Sequence, residues 1–421
     1  MSYMTDFDLF LKYNLKPTYG AQKDEALSKG LFAGEFSFKT PRVHDKFLIL
    51  LHASYKCNAN CIYCENQHLR SGYLNAVMDE SMVREVIDKF GPSIREVTWH
   101  GGEPLMLPES HFVALEEEKK KRGLTFPTTL QTNSILMTKE KHEFFDSLGI
   151  KTGTSFDGIR NTTSRGQKST EAIMRCIDEG LACGFITVTY SDTIDYLIDN
   201  YEYIKSLGCT AYQNCIVREN VVENSNPYLV SNDIAVAKVL EYIDYWIHDV
   251  NSPVRDTYVV RLIGRILGHS TLCEDSYCIG GWLIIDPMGN IGHCGHCQQD
   301  GGVVNIKDIS SYQDLLVHPS YTKMINKQRR LAATCSGCTW YHVCYGGCMG
   351  LNYEADPTYN TINQRHCEYT VGILTGIYEL IKDIDISRED LYNYHFLDLL
   401  RQCNYYSLTE IKEIEERYQN G

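Results

Sequence analysis

Three cysteines fall within the short segment CNANCIYC, at Cys57, Cys61 and Cys64. Thiolates hold the irons of iron–sulfur clusters, and three of them bind three irons of a [4Fe–4S] cube. The fourth iron is then open to a substrate-like ligand. A zinc site is the alternative, but zinc motifs usually pair two Cys with a second pair of Cys or His. The spacing therefore favours a cluster with an open iron.

A second group of cysteines lies in the C-terminal third of the chain. The segment CIGGWLIIDPMGNIGHC runs from Cys278 to Cys294, and CSGCTWYHVCYGGC precedes Cys367. Zinc ribbons are one interpretation, because two Cys separated by two residues suit either metal. Iron–sulfur clusters are favoured, since Cys344 and Cys348 extend the spacing beyond that of a ribbon and the first motif already commits the chain to this chemistry.

Composition excludes several other uses for the 17 cysteines of this 421-residue chain. The N-terminus, MSYMTDFDLF, lacks the basic start of a signal peptide, and no apolar run approaches the roughly 20 residues that span a bilayer. We therefore expect a cytoplasmic protein without membrane partners, in which disulfides are disfavoured. The 40 Lys and Arg against 54 Asp and Glu give a net charge of -14, which disfavours nucleic acid as a partner.

The elements that must position these cysteines alternate from about residue 47. Six short β-rich runs, each followed by a helical stretch, are typical of βα units around a parallel sheet. The runs are FLILLHASY, EVTWHG, TTLQTN, TGTSFDG, FITVTY and AYQNCIV. Six units fall short of the eight that close a full barrel, so we predict a partial (β/α)6 TIM-like barrel with its active site at the carboxyl ends of the strands.

After about residue 265 the sequence becomes rich in Gly and Cys, with short strands such as WLIIDP and helix-like segments near the end. This change in composition predicts a domain boundary. The expected domains are an N-terminal extension, the partial barrel, a cysteine-rich domain with two auxiliary clusters, and a C-terminal helical tail, over residues 1–45, 46–264, 265–385 and 386–421.

The first motif and its surroundings resemble the radical S-adenosylmethionine (radical SAM) enzymes. CNANCIYC has the family's spacing and aromatic residue, and WHGGEP places a GGEP motif after the second strand, as in the family. The resemblance implies that Tyr63 lies near the adenine of the cofactor and that the GGEP backbone binds its methionine amino group. It also implies that Ser155 contacts the carboxylate, Asn133 the ribose region and Arg160 an anionic group, although polar residues also cap strand ends. The implied cofactor-binding residues are Tyr63, Gly101, Gly102, Glu103, Pro104, Asn133, Ser155 and Arg160.

The C-terminal cysteines resemble the SPASM extension of the same enzymes, so the resemblance covers nearly all of residues 47–370. It implies three [4Fe–4S] clusters, with S-adenosylmethionine as the other cofactor. One auxiliary cluster would be bound by Cys273, Cys278, Cys294 and Cys348. The other would be bound by Cys335, Cys338, Cys344 and Cys367. Four thiolates suit electron transfer, because no iron is left open to a substrate. Cys273 lies outside the core motif, and without it the first of these auxiliary clusters would keep an open site.

By this resemblance, the leading hypothesis is a peptide maturase. S-adenosylmethionine would yield a 5′-deoxyadenosyl radical that abstracts hydrogen from a ribosomal precursor peptide and leads to a thioether or carbon–carbon crosslink. An anaerobic sulfatase-maturating, formylglycine-forming enzyme is the alternative, but that branch has Asp where this chain has Gly295 after Cys294. A small-molecule radical SAM dehydrogenase is a third hypothesis. An iron–sulfur electron carrier without catalysis is a fourth, against which the GGEP motif argues.

The partners implied by the resemblance are the precursor peptide and an electron donor such as flavodoxin or ferredoxin. Many such maturases begin with a leader-binding domain that is longer than the 45 residues before the first strand. Either a separate leader-binding protein supplies recognition or the barrel binds the peptide itself. The sequence singles out no catalytic general base.

Overall fold

The β-rich runs of the sequence become strands of one sheet. The computed structural model describes residues 46–64, 75–182, 184–217, 227–266, 281–293, 304–320, 335, 344, 346–348, 350–351, 362–381, 384–385 and 387–402. The strands in these residues are β1 Phe47–Leu51, β2 Ile94–Trp99, β3 Thr128–Thr132, β4 Ile150–Ser155, β5 Gly184–Thr189, β6 Ala211–Ile216, β7 Arg255–Asp256, β8 Trp282–Ile285, β9 Asn290–Gly292 and β10 Val304–Asn305.

Helices connect most of the strands, and several begin at a residue whose side chain caps the helix. The Asp79 carboxylate accepts from Met82 N, and the Thr138 hydroxyl accepts from Lys141 N, which satisfies backbone donors that the first turn leaves unpaired. The described α-helices are α1 Glu80–Phe90, α2 Glu109–Lys121, α3 Lys139–Ser147, α4 Asn161–Arg165, α5 Gln167–Asp178, α6 Leu197–Ser206, α7 Asn232–His248, α8 Thr257–Ile266, α9 Tyr312–Val317, α10 Gln364–Ile381 and α11 Tyr394–Gln402.

The sheet is mixed and has the strand order β10-β9-β8-β1-β2-β3-β4-β5-β6-β7. Strands β8 to β7 along this order are parallel, whereas β9 is antiparallel to both of its neighbours. The six strands predicted from the sequence are β1 to β6, in sequential order, so the α/β fold is confirmed. Sequential order with a helix after each strand keeps the helices on one face, because such crossovers are right-handed.

The pleat of β1 decides which side chains meet the helices. Phe47, Ile49 and Leu51 are fully buried and pack in one cluster with the apolar faces of α1, α2 and α3. Successive residues of a strand point to opposite faces, so Leu50 and His52 face the side without these helices. At the carboxyl ends of the parallel strands, side chains on this second side of the sheet are therefore not covered by α1, α2 and α3.

The sheet continues beyond the predicted barrel. Strand β8, the predicted WLIIDP strand, pairs in parallel with β1, and Leu51 lies opposite Ile285. This pairing joins residues far apart in sequence, so no local pattern could reveal it. Strands β7, β9 and β10 are two or three residues long, too short to show the period of two that marks a strand. The expected extension over residues 1–45 lies outside the described residues.

The described C-terminal helices pack against the helices that cover the sheet. Helix α10 contacts α7 so closely that an ideal Cβ built on Gly376 would lie 2.1 Å from Leu240 Cδ1. Any larger residue at position 376 would require the Leu240 side chain to move. Among the helices that the structure describes, none is long and apolar enough to span a bilayer.

Candidate active site

The first cysteine motif follows β1 at the carboxyl edge of the sheet. Cys61 is buried, whereas Cys57 and Cys64 are half-buried. The loop is closed by local contacts, since Ala59 N donates to Cys57 Sγ at 3.4 Å and Cys64 N donates to Cys61 O at 3.2 Å. These contacts hold the three thiols on one short turn, at the end of the sheet where parallel α/β enzymes place their active sites.

The two glycines of GGEP let this loop lie directly against the segment that leads into the cysteines. Gly102 N donates to Ser54 O at 2.9 Å, and Glu103 N donates to Lys56 O at 2.7 Å. An ideal Cβ on Gly102 would lie 2.0 Å from Lys56 O, and Gly101 has a φ of +106°. Only glycine tolerates both the close approach and that backbone conformation.

Glu103 ties the GGEP loop to the end of β3. Its carboxylate is buried and accepts from Leu105 N at 3.0 Å, Thr132 Oγ1 at 2.7 Å and Asn133 N at 2.8 Å. Burial raises the pKa of Glu103, and these hydrogen bonds oppose that shift. Pro104 begins the single 3₁₀ turn that follows. The side chain of Glu103 thus forms hydrogen bonds within the protein. The predicted contact of the GGEP motif with a cofactor would therefore be made by the backbone of the motif.

Asn133 reaches from the end of β3 to the cysteine loop. Its Nδ2 donates to Asn58 Oδ1 at 2.8 Å and lies 3.8 Å from Cys57 Sγ, while its Oδ1 accepts from Ile135 N at 3.0 Å. Ser155, at the end of β4, accepts from Gln131 Nε2 at 2.8 Å. The structure brings both predicted residues to the strand ends, and their contacts with the ribose and carboxylate of a cofactor stay predictions.

Tyr63 and Arg160 lie on the β5 side of the loop. The Tyr63 hydroxyl donates to Asp157, and its ring centre is 5.7 Å from that of Tyr190. The guanidinium carbon of Arg160 lies 4.6 Å from the centre of the Tyr196 ring. Tyr63 therefore has a defined position in the cysteine loop, whereas the Arg160 guanidinium packs on the Tyr196 ring. The predicted cofactor contacts of both stay predictions.

A buried Asp–Arg pair behind the loop was missed by the sequence analysis. Asp157 is 3% exposed and accepts from Ser164 Oγ at 2.5 Å and from Arg165 Nε at 3.0 Å. Arg165 Nη1 lies 3.9 Å from Cys61 Sγ, and Ile62 N donates to Ser164 O at 3.0 Å. The signal was Asp157 in SFDG, followed eight residues later by Arg165, but sequence alone does not show that Arg165 turns inward.

Two stacked histidines form a second feature that the sequence analysis missed. His52 and His100 follow β1 and β2, and their ring centres are 5.3 Å apart. His52 is 6% exposed, and neither of its ring nitrogens has a hydrogen-bond partner within the described residues. Burial, with a contribution from His100, lowers the pKa of His52 to about 3. His52 is therefore neutral at physiological pH.

The residues of the first motif fit a [4Fe–4S] cluster by the chemistry of their donors. Burial raises the pKa of Cys61 to about 11, and the nearby Cys64 and Cys57 raise it as well. Crowded thiols of this kind become thiolates when a bound cation supplies positive charge. In the described part of the chain, no three His, Cys, Asp or Glu side chains lie close enough to hold a single metal ion. A cube differs, because each Cys binds a different iron.

The C-terminal cysteines are described only in part. His366, which precedes Cys367 in α10, accepts from Cys348 N through its Nε2 at 3.0 Å. An ideal Cβ on Gly347 would lie 2.7 Å from the His366 ring and 3.9 Å from Cys344 Sγ. Cys335 is also described. Both ligand sets stay predictions, because the other predicted ligands of the auxiliary clusters lie outside the described residues. These ligands are Cys273, Cys278, Cys294 and Cys338.

Comparison with known proteins agrees with this geometry. The Radical SAM superfamily matches residues 52–207. The serine-type anaerobic sulfatase-maturating enzyme of Bacteroides thetaiotaomicron is 25% identical over 366 residues, which is 74% of this chain and 86% of that protein. The cysteine-type enzyme of Clostridium perfringens is 24% identical over 72% of this chain and 88% of that protein.

Solved structures share the fold. Native anSMEcpe with bound AdoMet matches 85% of this chain and 100% of that chain, with a TM-score of 0.65 and 19% identity. Streptococcus suis SuiB bound to S-adenosylmethionine matches 75% of this chain and 76% of that chain, with a TM-score of 0.55 and 16% identity. The segment that matches the Radical SAM superfamily, residues 52–207, begins directly after β1. It contains the cysteine loop, the GGEP loop and the Asp–Arg pair. This chain therefore contains a domain of the radical SAM superfamily.

Proposed function

We propose that this chain is a radical SAM peptide maturase that installs a thioether or carbon–carbon crosslink in a ribosomal precursor peptide. The observation that carries the proposal is the cysteine loop held by three strand ends, in a chain that also has eight cysteines matching the SPASM pattern. The shared fold with SuiB supports it, because that enzyme has been solved with its precursor peptide SuiA.

When bound, a [4Fe–4S] cluster and S-adenosylmethionine would supply the one-electron chemistry that generates a hydrogen-abstracting radical. The residues of this chain bind and orient those groups. Cys57, Cys61 and Cys64 would hold the cluster, and Asn133 keeps their loop against β3. Gly102 lets the GGEP backbone pack directly against the Lys56 backbone that leads into the cysteine loop.

The C-terminal cysteines would hold the proposed auxiliary clusters, which would supply one-electron acceptor chemistry for a peptide radical. The proposal predicts about twelve irons per chain in anaerobically reconstituted protein, from three four-iron clusters. Replacing all three cysteines of the first motif by Ala should remove about a third of that iron. A content near four irons, with zinc in the remaining sites, would contradict the auxiliary clusters.

Formylglycine formation on sulfatases is the second candidate. It is favoured by the similarity to the Bacteroides and Clostridium enzymes, which are named for sulfatase maturation. Gly295 counts against it, because sulfatase-maturating enzymes carry an Asp at this place after the cysteine. A carboxylate at that place would act as the base for the substrate thiol or hydroxyl.

One assay separates the two functions. The reconstituted enzyme is incubated anaerobically with S-adenosylmethionine and reductant, either with a peptide encoded beside its gene or with a sulfatase peptide that contains the target Cys. The maturase proposal predicts a product of the first peptide that is lighter by two hydrogens per crosslink, with suppressed backbone fragmentation inside the linked segment. Formylglycine in the sulfatase peptide, with the first peptide unchanged, would instead establish the second candidate.

A further inference from the structure

Arg165 ends α4 with its guanidinium buried behind the cysteine loop. Its side chain is 8% exposed, and Nε donates to Asp157 Oδ2 at 3.0 Å. Nη1 lies 3.9 Å from Cys61 Sγ, and the guanidinium carbon lies 5.6 Å from the centre of the Tyr63 ring. Because arginine does not lose its proton in proteins, a permanent positive charge is held between one carboxylate and one cysteine sulfur.

Asp157 does not occupy the whole guanidinium. Its Oδ1 accepts from Val188 N at 2.9 Å, and its Oδ2 is shared by Tyr63, Ser164 and Arg165. The ion pair therefore uses one nitrogen of Arg165, not the two parallel hydrogen bonds that such pairs often form. The terminal nitrogen on the loop side is left to face the cysteine sulfur.

We propose that Arg165 is a positioning residue that sets the reduction potential of the cluster bound by Cys57, Cys61 and Cys64. A cluster gains negative charge when it is reduced, so a nearby cation and a hydrogen bond to a ligand sulfur stabilise the reduced form. Asp157 opposes this effect and moderates it. The inference rests on the radical SAM domain and is independent of the identity of the substrate.

The test is an EPR-monitored redox titration of the reconstituted full-length protein. The first cluster is identified by the signal that changes when S-adenosylmethionine is added. Arg165→Gln should lower its midpoint potential by 59 mV or more, which corresponds to a tenfold change in a one-electron equilibrium. Arg165→Lys keeps the charge without the planar fork and should show a smaller shift in the same direction. Asp157→Asn leaves Arg165 without its counter-charge and should raise the potential.

Lys168→Gln is the matched control, because it removes the same charge from the exposed start of α5 and should leave the potential unchanged. An unchanged potential in iron-loaded Arg165→Gln, even with weaker binding of S-adenosylmethionine, would overturn the proposal. If Arg165→Gln binds no iron, opposite shifts in Arg165→Lys and Asp157→Asn support the proposal, and any other pattern overturns it. Wild-type protein without iron at the first motif would overturn both this proposal and the domain assignment. Failure to modify a peptide would count only against the proposed function.

Discussion

The two cysteine regions are supported in different ways. In the first, the three cysteines are neighbours in sequence, and their supports come from separate strand ends, such as Glu103 after β2 and Asn133 after β3. In the second, the segment that carries Cys344 and Cys348 is held through His366 at the start of α10, beside Cys367 in the sequence. We therefore expect the first loop to keep its shape without metal, whereas the second should depend more on bound metal for its order.

The largest effect on the first cysteine region is expected from filling the space beside Gly102. Gly102→Ala places a methyl group 2.0 Å from Lys56 O, a backbone atom that cannot move away without shifting the cysteine loop. We expect a loss of more than about 4 kcal/mol in unfolding free energy and loss of the first cluster. Iron content and thermal unfolding measure both effects. Gly184→Ala, whose Cβ would be 3.6 Å from Ala211 Cβ, is the control, and wild-type iron in Gly102→Ala would contradict the account.

Removing the Glu103 carboxylate should be the next largest effect. Glu103→Ala leaves three donors without their acceptor, two of them backbone N–H groups, and should cost about 3 kcal/mol by denaturant unfolding. Glu103→Gln keeps one oxygen and should cost less. Glu117→Ala is the control, since its side chain is 61% exposed and pairs with Arg84 at the surface. Equal effects at the two positions would show that Glu103 does not support the edge.

The buried His52 should make the first region sensitive to acid. Burial keeps its pKa near 3 in the folded state, below the ordinary value of 6.5. Above pH 6.5 the imidazole is neutral in both states, and as the pH falls below it only the unfolded chain gains the proton, so the folded state loses stability down to about pH 3. Replacing His52 by Gln should therefore remove about 2 kcal/mol of acid destabilisation at pH 5. The exposed His248→Gln should not, and an unchanged pH slope in His52→Gln would contradict the assignment.

The smallest effect is expected in the second region. His366→Ala removes the acceptor of Cys348 N. It should weaken retention of the proposed auxiliary iron about tenfold and lower the unfolding free energy by about 1 kcal/mol. Competition with a chelator measures the iron, and His395→Ala, which loses only a 3.3 Å contact with Pro253 O, is the control. The first cluster should be unaffected. Loss of iron from both regions would show that they are not independent.

Much of the fold was predictable because it is local. The six runs that became β1 to β6 are short, β-rich and separated by amphipathic helices, and each signal lies within one stretch of sequence. The pairing of β8 with β1 was not predictable, because it joins Leu51 to Ile285 across the whole barrel sequence. The place where the sheet ends is therefore a property of the fold and not of any segment.

The same distinction applies to the site. The cysteines and GGEP were predictable because their spacing is local and their chemistry is specific. Arg160 was nominated, and Arg165 overlooked, because both belong to one polar segment, and only the path of α4 shows which side chain is buried. His52 was overlooked since a histidine after a strand has no distinctive spacing, and its burial follows from packing against distant strands.

The formation of 5′-deoxyadenosine tests most directly whether the two cysteine regions divide the reaction, as proposed. Reconstituted wild-type protein, the variant with Cys57, Cys61 and Cys64 replaced by Ala, and Cys344→Ala are each supplied with S-adenosylmethionine and reductant. Cleavage should vanish in the triple variant, which keeps its other iron, and persist in Cys344→Ala even where peptide product falls. Loss of cleavage in folded Cys344→Ala that retains its first cluster would contradict the account.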